Sequence, residues 1–330
     1  MSETKKNDYP KIVCLGEILV DLFPSELGRK LADVSAFHPN PGGAPANVAV
    51  AARRLGTPSG FIGKVGDDAF GYHLIEVLKR QGVETRAMRV DESARTTLAF
   101  IALPDENTAE FVFYRNPGAD LRLRPDELDR EMIQNSLALH VGSLSLVDEP
   151  ARSATHEAIA LARQAGVLIS VDVNYRPSLW NKPEDALEQI KEILPYADLL
   201  KVNETECALL TNRTDEAGAM ELLAAGPELV VVTRGVNGSL LFADNIRLSM
   251  PAFQVNTVDA VGCGDAFVAG MLVRLTAGTN WKKNLVEPYL DESLKYANAV
   301  GALTALKHGV IPALPSGEEV DRFLETGVIP

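Results

Sequence analysis

Short apolar runs alternate along the chain with segments of helical periodicity, and this alternation limits the fold more than any other feature. The predicted strands are residues 12–15, 60–65, 137–141, 167–173, 199–202 and 229–233, and the predicted helices are residues 46–55, 69–81, 151–165, 184–194 and 216–225. Strands that are apolar throughout and alternate with amphipathic helices form parallel βαβ units buried on both faces. We therefore predict an α/β fold with a central, mainly parallel sheet, helices on both faces, and ligands at the carboxyl ends of the strands.

Two segments interrupt this pattern. Residues 20–40 and 95–116 lack helical periodicity and are predicted to form strands outside the main sheet. The second segment is a predicted hairpin, with strands at 96–103 and 110–116 joined by a polar turn at 104–108. Together they would form a small β-sheet lid over the strand ends, which would keep water from a reacting group. We treat residues 1–330 as one domain that carries this lid.

The composition is ordinary for a globular protein and narrows the classes of partner. Hydrophobic residues make up 46% of the chain and charged residues 23%. The net charge of −13, from 32 basic and 45 acidic residues, predicts neither a nucleic-acid nor an anionic-membrane partner. Cys14, Cys207 and Cys263 follow no disulfide or zinc pattern, and the first residues lack an apolar signal segment. We predict a cytoplasmic protein.

The segment VNTVDAVGCGDAFVAGML is the strongest candidate for the chemistry. Gly262, Cys263 and Gly264 precede Asp265, and an apolar, helix-compatible run follows at 266–276. A tight loop that opens a helix presents unpaired backbone N–H groups in the positive field of the helix dipole. The loop is therefore predicted to bind an anion, specifically a transferring phosphoryl group, and the two glycines leave room for it.

Asp265 distinguishes a catalytic loop from a simple anion site. A carboxylate opposes the loop's preference for anions unless it has a task of its own, and at a helix start we expect it to be ionised. An ionised carboxylate beside a phosphate can orient an attacking hydroxyl and accept its proton. The alternative is an ordinary N-terminal helix residue after a glycine turn. The same helix start is expected to lower the thiol pKa of Cys263.

A second candidate segment lies near the start of the chain. In PGGAPAN, Gly42 and Gly43 come shortly before Asn47. Glycines let a backbone approach a ligand closely, and an amide offers both a donor and an acceptor to paired sugar hydroxyls. The alternative is a plain helix start. Further along, Arg115 ends the predicted hairpin, where it either faces the cleft and adds positive charge or lies exposed on an edge strand.

These motifs resemble the signatures of the ribokinase-like (PfkB) carbohydrate kinases. The family's second signature is roughly D-[TA]-x-G-A-G-D-x-F-x-x-G. It is matched by Asp259, Gly262, Gly264, Asp265, Phe267 and Gly270, with Cys263 in place of the usual alanine and Ala260 in place of a frequent threonine. The first signature, G-G-x-x-x-N followed by G-x-x-G-x-D-x-x-G, matches residues 42–47 and 63–71. Both signatures stand in the family's order, and the resemblance covers about residues 12–324.

The resemblance implies a ribokinase-like fold and an ATP-dependent sugar kinase that uses Mg²⁺. It makes Asp265 the base, with Gly262, Cys263 and Gly264 as the phosphoryl-binding loop. The expected sugar contacts are Asp21, Gly42, Gly43, Asn47, Arg115 and Asp265, although Asp21 by position alone could be a surface turn acid. The expected nucleotide contacts are Asn203, Thr233, Gly235, Gly238, Gly262, Gly264 and Asn298. Glu206 would hold Mg²⁺ through water, Asp172 would lie near the phosphates as a second metal contact, and Asp259 would help hold a monovalent cation such as K⁺.

The stretch FVFYRNPGAD resembles that of bacterial and plant fructokinases, so fructose, converted to fructose 6-phosphate, is the predicted substrate. A 2-keto-3-deoxygluconate kinase or a ribokinase is the alternative within the family, because an acidic sugar would give Arg115 an ionic partner. An alternative of another class is a non-catalytic sugar or nucleotide sensor. Such a protein should have lost the base, the glycine loop or the N-x-x-E element formed by Asn203 and Glu206. Phe100, Phe111 and Phe113 give the lid an apolar face, covered either by a twofold partner in a homodimer or by the protein's own domain.

Overall fold

The computed structural model describes residues 9–26, 28–105, 108–214 and 216–329, with the backbone alone at 103–105 and 108–110. The strands are β1 Ile12–Leu15, β2 Leu19–Pro24, β3 Phe37–Gly42, β4 Ser59–Gly66, β5 Met88–Asp91, β6 Leu98–Asp105, β7 Thr108–Tyr114, β8 Ala138–Gly142, β9 Leu168–Asp172, β10 Leu199–Asn203, β11 Leu229–Thr233, β12 Ser239–Ala243 and β13 Ile246–Met250. The α-helices are α1 Ala44–Arg54, α2 Ala69–Arg80, α3 Arg130–Asn135, α4 Ala151–Ala165, α5 Pro183–Ile193, α6 Glu204–Thr211, α7 Glu216–Ala224, α8 Cys263–Leu275, α9 Glu287–Thr304, α10 Val310–Ala313 and α11 Gly317–Thr326.

The large sheet confirms the predicted α/β architecture. Its nine strands have the order β13-β12-β11-β10-β9-β8-β1-β4-β5. The strands from β11 to β5 pair in parallel, whereas β12 and β13 add an antiparallel edge. The parallel strands are nearly continuous apolar runs because helices cover both of their faces.

The two segments predicted outside the main sheet form one small sheet of the order β3-β2-β6-β7. β2 pairs antiparallel with β3 and parallel with β6, and β6 forms a hairpin with β7. β6 reaches Asp105 and β7 begins at Thr108, so the turn is narrower than the predicted 104–108; residues 106 and 107 lie outside the described residues. The lid prediction is confirmed in its strands.

Alternate residues of the central strands pack into two hydrophobic cores. In β1, Ile12 and Cys14 share a core with residues of α1, α2, α8 and α9, whereas Val13 and Leu15 share the other core with residues of α3 to α7. This alternation follows from the twofold repeat of a strand, which sends successive side chains to opposite faces. Among the described residues, none of the helices combines the length and the apolar character needed to cross a membrane.

α8 carries the glycine loop at its N-terminus and is held firmly by its neighbours. Most of its side chains are buried, and it packs against α1 and α9. A Cβ added at Gly270 would come within 2.9 Å of the Ala297 Cα, so glycine permits this close helix contact. Because packed interiors resist displacement, the loop before α8 is held in place relative to the strand ends.

Candidate active site

A cavity of about 480 Å³ opens at the carboxyl ends of the parallel strands, between them and the small sheet. Most of the predicted site residues line it: Asp21, Gly43, Asn47, Asn203, Glu206, Thr233, Gly235, Gly238, Gly262, Cys263, Gly264, Asp265 and Asn298. Gly42, Arg115, Asp172 and Asp259 are predicted site residues that do not line it. The cavity therefore lies at the edge of the sheet where the topology predicts ligand binding.

The glycine loop has the geometry of an anion site. Gly262 has a φ of 81°, a left-handed conformation that favours glycine, and its space is closed by the Val310 side chain. The first hydrogen bond of α8 runs from Ala266 N to Gly262 O at 2.9 Å. The amides of Gly264 and Asp265 precede that bond, so they are among the helix N–H groups without an intrahelical partner. They can bind the oxygens of a phosphoryl group.

Asp265 is half-buried beside this loop and accepts a hydrogen bond from Asn47 of PGGAPAN, the segment predicted to bind the sugar and called here the sugar segment. Asn47 Nδ2 donates to Asp265 Oδ2 at 2.8 Å. Burial raises the pKa of Asp265 to about 6, while the Asn47 hydrogen bond lowers it and Asp172 raises it further. The helix start was expected to keep this carboxylate readily ionised, but loss of hydration has the larger effect. A carboxylate with a pKa near 6 is ionised at neutral pH yet basic enough to accept a proton.

Cys263 corrects one sequence expectation. Burial raises the pKa of its thiol to about 12, and the neighbouring Asp259 and Asp265 carboxylates raise it further. The predicted lowering at the helix start is wrong, because desolvation and two nearby carboxylates outweigh the helix dipole. Cys263 lines the cavity as a neutral thiol.

Gly42 and Gly43 are each explained by a close contact with another part of the chain. Asp21 is buried, and burial raises its pKa to about 7, with Asp265 adding to the shift. A Cβ at Gly42 would overlap the Asp21 carboxylate, so Gly42 makes room for the Asp21 side chain, which lines the cavity, and does not itself line it. Gly43 has a φ of 104° and lies against the Glu17 carbonyl, and both features require glycine.

Asn47 carries an oxygen without a partner that a ligand could use. Its Nδ2 donates to Asp265, whereas its Oδ1 is buried without a hydrogen-bond partner among the described residues. A buried carbonyl oxygen without a partner is unfavourable, and a ligand hydroxyl would satisfy it.

Arg115 does not occupy the position predicted for it. Its buried guanidinium donates through Nε to Asp120 Oδ2 at 2.8 Å, and through Nη2 to the same oxygen and to the Leu144 carbonyl at 3.1 Å. Asp120 also accepts from Thr97 Oγ1 at 2.5 Å. Neither the cleft-facing nor the exposed alternative holds, because a guanidinium buried at the end of β7 requires a charged partner, and Asp120 provides it five residues later.

Lys201 is a site residue that the sequence analysis missed. Its Nζ donates to both oxygens of Asp172, at 3.0 and 3.2 Å, from the neighbouring strand. Burial would lower the pKa of Lys201, but Asp172 and Glu206 raise it on balance, so the ammonium stays charged. Lys201 lines the cavity, and a Cβ at Gly264 would lie 3.3 Å from its Nζ. The sequence feature that could have identified Lys201 is a lysine in KVNETEC, near the end of an otherwise apolar strand.

Asn203 and Glu206 cap α6 at the same end of the cavity. Asn203 Oδ1 accepts from Glu206 N at 2.8 Å, and Glu206 Oε2 accepts from Asn203 N at 2.8 Å. Glu206 Oε1 accepts from Tyr175 N at 2.9 Å, so both carboxylate oxygens bind backbone N–H groups. Burial raises the pKa of Glu206, and Lys201 opposes this shift. The N-x-x-E element is therefore a capping box that also presents a carboxylate to the cavity.

The far end of the cavity suits a flat, apolar base with a polar rim. Thr233 is the last residue of β11, and Gly235 and Gly238, which follow it, have φ values of 53° and 84°. Asn298 Oδ1 accepts from Ser239 Oγ at 3.2 Å, while its Nδ2 is buried without a partner in the described ranges. The apolar lining at this end is Val236, Ala252, Phe253, Val255, Ala302, Ala305 and Val310.

Asp259 lies behind the glycine loop and does not line the cavity. Its Oδ1 accepts from Val261 N at 3.0 Å and its Oδ2 from Gly309 N at 3.2 Å. These hydrogen bonds connect the loop to the residue before α10.

Comparison with known proteins identifies the family of the chain. The profile described as pfkB family carbohydrate kinase matches residues 10–317. A probable fructokinase-2 of Arabidopsis thaliana is 42% identical over 330 residues, which cover 99% of this chain and 100% of that protein. A fructokinase of Xylella fastidiosa with bound ATP has a TM-score of 0.88 and 32% identity, covering 96% of this chain and 99% of that one. A double mutant of the Vibrio cholerae O395 fructokinase, with fructose, ADP and potassium ion bound, has a TM-score of 0.85 and 32% identity at the same coverage. The chain belongs to the pfkB family of carbohydrate kinases.

Proposed function

We propose that the protein is an ATP-dependent fructokinase that converts fructose to fructose 6-phosphate. The observation that carries the proposal is the Asn47–Asp265 hydrogen bond, which joins the sugar segment to a half-buried carboxylate beside the glycine loop. The similar fructokinases, one with bound ATP and one with fructose and ADP, support both substrates.

In the proposed mechanism, Asp265 accepts the proton of the 6-hydroxyl as that oxygen attacks the γ-phosphorus of ATP. The new bond joins the sugar oxygen to phosphorus, the bond to the β,γ-bridging oxygen breaks, and ADP leaves. The amides of Gly264 and Asp265, together with Lys201, stabilise charge on the transferring group. Phe111 and Phe113 of the small sheet line the cavity and reduce the access of water.

Magnesium is proposed as the companion of ATP, bound through water. Asp172 is paired with Lys201, and both oxygens of Glu206 accept backbone N–H groups. The described residues contain no cluster of three or more His, Cys, Asp or Glu side chains suited to a metal. This donor set fits an ion held mainly by phosphates and water, with Glu206 and Asp172 contacting the waters. When bound, the ion neutralises charge on the phosphates.

The charged groups around the cavity favour fructose over 2-keto-3-deoxygluconate as the substrate. The argument for an acidic sugar was that Arg115 would need an ionic partner, but Asp120 already neutralises it. Glu17 and Asp21, whose pKa values are raised to about 7, line the cavity on the same side, so a sugar carboxylate would meet like charge when these acids are ionised. The sensor alternative is disfavoured because the base, the glycine loop and the N-x-x-E element are all present.

Release of ADP, measured with fructose, glucose, ribose and 2-keto-3-deoxygluconate, tests this proposal. We expect the highest kcat/KM with fructose. No ADP release above background with any of these sugars would refute kinase activity, and a higher kcat/KM for another sugar would refute the choice of fructose alone.

We also propose a homodimer formed through the outer face of the small sheet. Phe111 and Phe113 line the cavity, so the protein's own domain covers the face to which they belong. The opposite face carries Phe100 against Tyr114, with ring centroids 5.1 Å apart, and Val112 is 42% exposed beside them. Light scattering should give the mass of a dimer, and Val112→Glu should shift it to a monomer. A monomeric wild type at every concentration would contradict this interface.

Asp259 is proposed to help hold K⁺ near the glycine loop, supported by the potassium ion in the similar Vibrio cholerae structure. Activity in K⁺ should exceed that in Na⁺ at equal ionic strength; equal activity would argue against this.

A cytoplasmic location is proposed from the low cysteine content, and cell fractionation would test it.

A further inference from the structure

Glu17 is a buried acid at the sugar end of the cavity that the proposed mechanism does not use. It follows β1, lines the cavity and is 2% exposed. Its Oε1 accepts from Ala44 N at 2.9 Å, at the start of α1. Its Oε2 is buried and, within the described part of the chain, has no hydrogen-bond partner. One oxygen of this carboxylate is thus committed to the fold and the other is not.

The surroundings of Glu17 carry both signs of charge. The Arg115 guanidinium favours the ionised form of Glu17 and the Asp120 carboxylate opposes it, while burial raises the pKa of Glu17 to about 7. Arg115 Nη1 is also buried without a partner among the described residues. Leu144, whose carbonyl accepts from Arg115 Nη2, lines the cavity. Glu17 Oε2 is therefore an unpaired acceptor on a residue that lines the cavity, and the positive charge of Arg115 acts on it from outside the lining.

A hydroxyl group matches this arrangement better than any other common ligand group. It can donate to the Glu17 carboxylate oxygen without bringing a negative charge of its own. An unpaired buried carboxylate oxygen is costly, so a ligand that supplies a donor gains affinity there. A second carboxylate, Asp21, lines the same side of the cavity, and a negatively charged ligand group would be repelled.

We propose that Glu17 is a further sugar-contacting and specificity-determining residue, whose Oε2 accepts a hydrogen bond from a sugar hydroxyl other than the one that is phosphorylated. The inference rests on the proposed sugar kinase activity and adds a contact to it. In its ionised form Glu17 also disfavours acidic sugars, because a sugar carboxylate at this position would face its negative charge.

Glu17→Gln tests the contact without removing the support of α1. The amide oxygen can still accept from Ala44 N, while the amide nitrogen replaces the acceptor with a donor. We expect the KM for fructose to rise about 10- to 100-fold, the scale of a lost hydrogen bond to a charged group, with the KM for ATP unchanged. The kcat/KM for 2-keto-3-deoxygluconate relative to fructose should rise about tenfold as the repulsion is removed.

Glu319→Gln is the matched control. Glu319 is also a carboxylate that accepts from a backbone N–H at a helix start, that of Ser316 at 2.7 Å, and it does not line the sugar cavity. This variant should keep the wild-type KM for fructose. The thermal unfolding temperature of both variants shows whether any change comes from the fold.

Monodeoxy fructoses distinguish a sugar contact from a structural or water-mediated role. For one analogue, the rise in KM seen with the wild type should nearly vanish in Glu17→Gln, because the variant has already lost that hydrogen bond. An unchanged KM for fructose in Glu17→Gln would overturn the proposal, and so would equal rises with every analogue. Turnover of fructose by the wild type is measured first, so failure of the kinase assignment is recognised separately.

Discussion

Asn47 Nδ2 and Asp265 Oδ2 form a hydrogen bond of 2.8 Å between residues 218 positions apart in the sequence. The bond connects α1, which follows the sugar-segment glycines, with α8, which follows the anion loop. Each motif alone has an ordinary structural explanation as a helix start. Their direct contact would place a sugar bound by Asn47 against the carboxylate proposed to accept its proton, so the two segments form one candidate site.

Replacing the base should separate turnover from binding. We expect Asp265→Asn to lower kcat by about 10²- to 10⁴-fold, because the amide cannot accept the hydroxyl proton. ATP binding, measured by calorimetry, should change little, since the loop amides are retained. Near-wild-type turnover in this variant would contradict the role given to Asp265.

The pH profile should report the Asp265 carboxylate. The pKa of Asp265 is raised to about 6, and the base must be ionised, so kcat/KM should fall as the pH drops through about 6. Asn47→Ala removes a hydrogen bond that lowers this pKa, so the acid limb should move to higher pH. Asp172→Asn removes a charge that raises it, so the limb should move to lower pH.

These opposite displacements assign the limb to Asp265. Glu17 and Asp21 have pKa values raised to about 7 and titrate in the same range, so the position of the limb alone would not identify the group. A limb that stays in place in both variants would belong to another group.

Lys201 should act on the transferring phosphate and also on stability. Lys201→Met leaves the buried Asp172 unpaired, which should lower the free energy of unfolding by about 3–5 kcal/mol and kcat by about 10²- to 10³-fold. The double variant Lys201→Met with Asp172→Asn has no unpaired charge, so stability should largely return while kcat stays low. Recovery of kcat together with stability would show that Lys201 is only structural.

Gly42 should affect sugar binding through Asp21. A Cβ at Gly42 overlaps the Asp21 carboxylate, so Gly42→Ala should displace that side chain and raise the KM for fructose, with stability nearly unchanged. Gly278→Ala is the control, because a Cβ there meets no atom within 4 Å. Equal KM values in the two variants would mean that Asp21 does not bind the sugar.

The parts predicted from the sequence are those that depend on local pattern. The bounds of β1 and β11 agree with the prediction because both are continuous apolar runs. β5, β12 and β13 were missed: β5 has four residues, β12 follows β11 after a short glycine-containing turn, and β13 is an edge strand with half-exposed side chains. The glycine loop and Asp265 were identified because their function lies in consecutive residues.

The errors at the site come from contacts distant in sequence or from burial. Lys201 was counted as a strand residue, and only its pairing with Asp172 on the next strand reveals a buried charge. The neutralisation of Arg115 depends on the fold of the chain back to Asp120. The thiol pKa of Cys263 is governed by desolvation, which a local helix-start argument omits.

Cys263 provides the last prediction, because its raised pKa reverses an expectation. A thiol with a pKa of about 12 is almost entirely protonated at neutral pH, so iodoacetamide should inactivate the enzyme slowly at pH 7. Cys263→Ala should keep kcat within about threefold of the wild type. The loop is proposed to bind phosphate through its backbone N–H groups, and the substitution retains them. In Cys263→Ala, iodoacetamide should no longer cause the part of the inactivation against which ATP protects the wild type. Fast alkylation at pH 7, or a large loss of kcat in Cys263→Ala, would show that the thiol itself takes part in the site.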